Sequence, residues 1–93
     1  MKETLYLVQS SSAATLHVLN KLKQIYTRQD HVVFLGESLA VLTAADLAVF
    51  ASAYCIDFEH VLLNPDLTSQ MKTLNYAQFA DLILQFERCI SLK

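Results

Sequence analysis

The chain predicts a small α/β domain, a doubly wound parallel sheet with helices on both faces. Three observations lead there. The first is residues 31–38, HVVFLGES, in which four consecutive apolar residues run into a glycine. A short unbroken run of β-branched and aromatic residues between polar ones reads as a strand buried on both faces. The second is alternation: such short runs take turns with stretches of helical period. Strands alternating with helices imply parallel pairing through right-handed crossovers. The third is length, since 93 residues suffice for one domain, 1–93, and no more.

The elements follow in order. TLYLV, Thr4–Val8, is the first strand. Gln9 and three serines come next, and Ser10, Ser11 and Ser12 offer N-cap hydroxyls to a helix. Val18, Leu19, Leu22, Ile25 and Tyr26 then recur at i, i+1, i+4, i+7 and i+8. That is one helical face, with Asn20, Lys21, Lys23 and Gln24 mostly opposite. Residues 27–30 are a polar turn into the central strand. Gly36 permits a sharp turn at that strand's C-terminal end. Residues 39–42 form a short helical turn. Thr43 and Asp46 make a capping box, with Asp in the usual place of Glu. The helix they start shows Leu47, Phe50, Ala51 and Tyr54 on one face. DFEHVLL, residues 57–63, reads as a third strand, and Asn64-Pro65-Asp66 stops it. A helical turn at 67–71 and a short fourth strand at Lys72–Leu74 follow. Asn75 and Gln78 form a second capping box. Phe79, Leu82, Ile83 and Phe86 are the stripe of the last helix, with Asp81, Gln85 and Arg88 away from it. CISL, residues 89–92, closes the chain as a strand.

Composition narrows the function classes. The chain is 54% hydrophobic and 17% charged, where an ordinary domain has about 25% charged residues. A domain this small hides a smaller share of its surface than a large one. The apolar surplus is therefore expected at a partner interface. A net charge of -2 argues against direct, electrostatically driven binding of nucleic acid. One Gly and one Pro leave no room for a linker or low-complexity tail. The longest near-apolar stretch, 47–56, is too short to span a membrane. The run at 5–8, behind Lys2, is too short for a signal-peptide core. The expected location is the cytoplasm, where Cys55 and Cys89 are not expected to form a disulfide.

Candidate chemistry is sparse. Cys55 falls between the second helix and the third strand, at a helix C-terminus whose partial negative charge disfavours thiolate. It reads as a small buried hydrophobe. Cys89 follows Arg88, which favours thiolate, and is the better of two weak nucleophile candidates. Neither cysteine sits in a CxxC motif, and His17, His31 and His60 include no i, i+4 pair, so no metal site is expected. No cofactor signature is present. Ser10 to Ser12 stand where helix amides point outward and could take a small anion, though without a Gly-rich phosphate loop. Gln9, Ser10 and Ser11 after the first strand, and Gly36, Glu37 and Ser38 after the central one, occupy strand ends where open α/β sheets meet ligands and partners. Lys21, Lys23 and Arg28 read as a solvated helix face.

Leu5-Tyr6-Leu7-Val8-Gln9-Ser10 resembles the opening strand, with its polar serine-containing end, of the DsrH/TusB family of small sulfur-relay subunits. Val32-Val33-Phe34-Leu35, followed by Gly36-Glu37-Ser38-Leu39-Ala40, resembles that family's aliphatic strand, acidic-small step and short helix. Leu74-Asn75-Tyr76-Ala77-Gln78-Phe79-Ala80-Asp81-Leu82 resembles its closing Asp/Asn-Tyr segment and apolar helix. The resemblance implies a flavodoxin-like or DsrEFH-like fold. It implies assembly with two homologous small subunits, TusC/DsrF-like and TusD/DsrE-like, into a two-fold heterohexamer. Such a complex passes persulfide sulfur between carrier proteins, in the TusB case toward 2-thiouridine at the tRNA wobble position. A sister subunit there carries the persulfide cysteine, and this chain would complete the assembly without catalysing. Three departures stand out. The segment between Leu63 and Leu74 is shorter, the family's terminal Trp is missing, and Ser10 to Ala14 replace a cysteine that some members carry early in the first helix. Two other functions stay open from the residues alone. One is an autonomous thiol sulfurtransferase using Cys89 or Cys55. The other is a small-anion or nucleotide-binding module.

Overall fold

The structure, a computed structural model, describes residues 3–50 and 52–93. Lys2 and Ala51 lie outside them, Ala51 with its expected place on the second helix. The strand His31–Phe34 is the middle of the sheet, and Val32, Val33 and Phe34 are 0% exposed. Adjacent side chains of a strand point to opposite faces, so both faces are covered here, as the unbroken apolar run required.

With β1 as Thr4–Val8 and β2 as His31–Phe34, the two pair in parallel from Leu5 opposite His31 to Val8 opposite Phe34. On the other side of β2 lies β3 (Ala53–Ile56), in register from Val32 opposite Ala53 to Phe34 opposite Cys55. The edges are β4 (Lys72–Leu74), beside β3, and β5 (Arg88–Leu92), beside β1. All five strands are parallel, in the order 4-3-2-1-5. A flavodoxin sheet runs 2-1-3-4-5; here the reversal falls between β1 and β5, so the last crossover returns over the whole sheet.

That order decides which helix goes where. The helices α1 (Ser12–Ile25) and α2 (Ala44–Val49) belong to crossovers that step the same way, and both pack on one face. Val18, Leu19, Leu22 and Leu47 meet Tyr6, Val8, Val32, Phe34 and Cys55 there. The returning crossover carries α3 (Tyr76–Leu84) on the opposite face, where Leu82, Phe79 and Ile83 meet Leu5 and Val33. Three 3-10 helices fill the remaining connections, at Gly36–Val41, Asp57–Leu62 and Pro65–Gln70. The expected class, a small doubly wound α/β sheet, is the one observed.

Several local expectations need correction. The second helix stops at Val49, so Tyr54 is not on its face but in β3. Residues 53–56 pair with β2 on one side and β4 on the other, and two ladders outweigh the helical period of four apolar positions. Residues 57–63 are not a strand; Asp57–Leu62 is a 3-10 helix, and Val61 is 83% exposed where a strand in the sheet would have covered it. Ile25 is exposed rather than buried, and Tyr26 sits beyond the helix with its ring edge-on to Phe50, 5.0 Å between centroids. The N-cap of α1 is Ser11, and its hydroxyl makes no cap hydrogen bond. The hydroxyls on either side are committed elsewhere, Ser10 to Thr15 Oγ1 at 2.7 Å and Ser12 to Glu37 at 3.3 Å.

Two carboxylates tie the elements together. Asp30 is buried and accepts from the Thr4 amide with one oxygen and from the Thr27 amide with the other, both at 2.9 Å. It joins the turn before β2 to the start of β1. Asp46 completes the capping box of α2, accepting from the amide and hydroxyl of Thr43, each at 3.0 Å, and it accepts from Lys23 of α1 at 2.7 Å. Burial alone would push its carboxyl up, but Lys23 and Thr43 outweigh that and hold it below the ordinary carboxylate range.

Because the folded carboxyl of Asp46 is the more acidic one, its contribution is complete above the unfolded value of about 3.9 and fades as pH falls through the folded value. Asp46→Asn should cost about 1–2 kcal/mol in urea unfolding at pH 7, with the gap to wild type narrowing below about pH 4. Gly36 has φ +60 and nothing within 4 Å of an added Cβ, so Gly36→Ala should lose about 1 kcal/mol through backbone strain alone, and Gly36→Asn should lose less.

Candidate functional site

Beyond the C-terminal ends of β1 and β2 the chain turns twice. After Val8 it enters α1 through Gln9, Ser10 and Ser11. After Phe34 it bends at Gly36 into a 3-10 helix. Leu35 still extends the ladder, its amide donating to Val8 O at 2.9 Å. Between the two turns lies a cleft of about 530 Å³ lined by Gln9, Ser10, Ser11, Leu35, Gly36, Glu37 and Glu59. Five of the six strand-end residues singled out in the sequence converge here. The sixth, Ser38, is buried beneath, donating to Leu35 O at 2.8 Å and sitting 3.4 Å from Val8 O. It fastens the floor rather than lining the opening.

The polar groups of the cleft are set by its own carboxylates. The Gly36 amide donates to Glu59 Oε2 at 3.2 Å, and the Ser12 hydroxyl donates to Glu37 Oε1 at 3.3 Å. The Gly36 amide is thereby taken from any small anion, and among the described residues no Lys or Arg lines the cleft. Ser10 is committed below the surface; Thr15 Oγ1 donates to Ser11 O at 2.7 Å, leaving the Ser10 hydroxyl to donate to Thr15. The arrangement suits a cation or a neutral donor better than an anion. Glu59 escaped the sequence reading because residues 57–63 were expected as a strand, and no pattern marks a lone glutamate in a 3-10 helix.

Neither thiol lines this cleft. Cys55 lies inside β3, fully buried, and burial, with Glu59 and Asp57 adding to it, pushes its thiol up to about 11. It is a protonated packing residue at neutral pH, held in a strand rather than at a helix end. Cys89 is exposed on β5, opposite Leu5, toward the end of the sheet away from the cleft. With β2 and β1 between β3 and β5, three strand spacings put those two strands about 14 Å apart, and the cysteines, three residues out of register along them, are farther apart still. A disulfide needs Cα atoms within about 7 Å, so they do not bridge within one chain.

Of the histidines, His17 is exposed on α1. His31 Nδ1 shares a hydrogen bond of 3.0 Å with the Tyr54 hydroxyl, and its ring lies edge-on to Phe86 at 5.0 Å. Burial lowers its pKa. The side chain of His60 lies outside the described residues. No group of three or more His, Cys, Asp or Glu among the described residues could hold a metal ion. The basic face expected from Lys21, Lys23 and Arg28 is in part structural, since Lys23 pairs with Asp46. Among the described residues no helix is long and apolar enough to cross a membrane.

Alkylation at pH 7.5 should therefore modify one thiol per native chain, Cys89, and the second only after unfolding; intact mass reads both. Cys55→Ala should leave the fold intact, whereas Cys55→Ser, which buries a hydroxyl without a partner, should cost about 1–3 kcal/mol.

Compared with known protein families, curated proteins and solved structures, the chain matches none.

Proposed function

We propose that the chain is a non-catalytic subunit of a cytoplasmic persulfide-relay complex, working beside two homologous small α/β subunits and supporting 2-thiolation of the tRNA wobble uridine. The observation that carries this reading is surface left over after folding. Phe58, Val61, Tyr76, Leu16 and Leu84 are each more than half exposed. Among them Phe58 and Tyr76 lie side by side, with ring centroids 5.5 Å apart, and monomers rarely leave large contiguous apolar patches in water. The strand-end cleft, where an α/β protein keeps its chemistry, contains no thiol, and the buried thiol is protonated. A chain with apolar surface and no nucleophile at its cleft fits an assembly role, and the resemblance of residues 5–10, 32–40 and 74–82 supplies the kind of assembly. The exposure of Cys89 favours one rival, in which the chain is itself a thiol sulfurtransferase.

The test is purification of the tagged chain from its native host, with intact mass measurement of the complex. Two co-purifying α/β chains in equal amounts are expected, and a Cys55→Ala/Cys89→Ser variant should retain both them and persulfide transfer. A lone chain would remove the subunit reading. Loss of transfer in an otherwise intact complex would make Cys89 a carrier.

A further inference from the structure

The cleft continues into an apolar surface at the same end of the sheet. The 3-10 helix Asp57–Leu62 has about three residues per turn, so residues three apart lie over one another. Phe58 and Val61 are such a pair, 57% and 83% exposed. The Phe58 ring lies beside that of Tyr76, with centroids 5.5 Å apart, and Tyr76, the first residue of α3, is 68% exposed. Two large aromatic side chains held together in water gain little within the chain. Burial of both by a partner would be favourable.

Charge identifies the partner's chemistry. Glu59 follows Phe58 but turns toward Gly36, and with Glu37 it lines the cleft beside the apolar patch. Asp57, at the start of the same helix, is exposed. The described Lys and Arg residues lie elsewhere. Lys72 and Arg88 begin their strands, Arg28 is in the turn before β2, and Lys21 and Lys23 are in the second half of α1. Only Lys93, past β5 at the far edge, reaches this end of the sheet. A second copy seated symmetrically on the same patch would set like carboxylates against each other, which disfavours self-association there.

We propose that this end of the sheet is a docking surface for a different protein that presents a lysine or arginine beside an apolar side chain. The apolar side chain covers Phe58, Val61 and Tyr76, and the cation faces Glu37 and Glu59. The proposal rests on the chain being an assembly subunit and not on what that assembly transfers.

Two variants of exposed side chains test it in the complex purified from the native host: Phe58→Ser/Val61→Ser, which removes the anchor, and Glu37→Lys, which reverses one charge. Circular dichroism and urea unfolding establish that each still folds. Each is expected to hold the co-purified partner about tenfold more weakly than wild type, a larger loss than truncation of most interface residues gives. Carbodiimide coupling, which joins carboxylates to amines in contact, locates the site by linking Glu37, Asp57 or Glu59 to a partner lysine. Undiminished retention by either folded variant overturns the surface while leaving the subunit reading in place. A chain that purifies alone overturns both. Coupling of these carboxylates to a second copy of the chain overturns the heterologous partner.

Discussion

A strand with no exposed surface on either side forces everything around it. Val32, Val33 and Phe34 can be buried only if the sheet extends to both sides and something apolar lies on both faces. The flanking strands supply the ladder, and the helices supply the cover. The two capping boxes, Thr43 with Asp46 and Asn75 with Gln78, set where cover begins on each face. The demand of the ladder also explains why the second helix ends early. Once residues 53–56 are needed between β2 and β4, four residues of helical period cannot hold them.

The cover is unequal, and the strand order is the cause. Crossovers from β1 through β4 all step in one direction, so their helices collect on one face and make the larger core. The other face has α3 alone, nine residues long. One helix is about 10–12 Å across, while five strands span about 19 Å. Leu7, Leu35, Tyr54, Leu74, Ile83 and Phe86 therefore remain only partly buried around it. Part of the apolar surplus visible in the composition thus lies along the flanks of α3 and at the C-terminal end of the sheet around Phe58, and part on the α1 and α2 side, at Leu16, Ile25 and Val49.

Carboxylates do most of the polar joining. Asp30 fastens β1 to the turn before β2, Asp46 fastens α1 to α2, and Glu59 fastens the 3-10 helix after β3 to the Gly36 turn. Each binds a backbone amide or an ammonium that would otherwise lack its partner in a partly dry site. The consequence for function is direct. A strand-end cleft already furnished with carboxylates favours cations, and neither thiol lines it.

Local chemistry decided much of this protein. The turn at Gly36, both capping boxes and the strands Thr4–Val8 and Lys72–Leu74 were legible because each depends on neighbours within a few residues. So was the convergence of Gln9, Ser10, Ser11, Gly36 and Glu37, because parallel strands put their C-terminal ends on one side. Tertiary structure alone decided the strand order, the conversion of DFEHVLL from an expected strand to a 3-10 helix, and the arrival of Glu59 in the cleft. It also decided which serine hydroxyls stay free of capping and that Cys55 lies within a strand. Apart from the Ser10–Thr15 hydrogen bond, those outcomes depend on contacts between residues 18 or more apart, where pairing with a distant strand or a distant carboxylate outweighs the preferences of a short run of sequence.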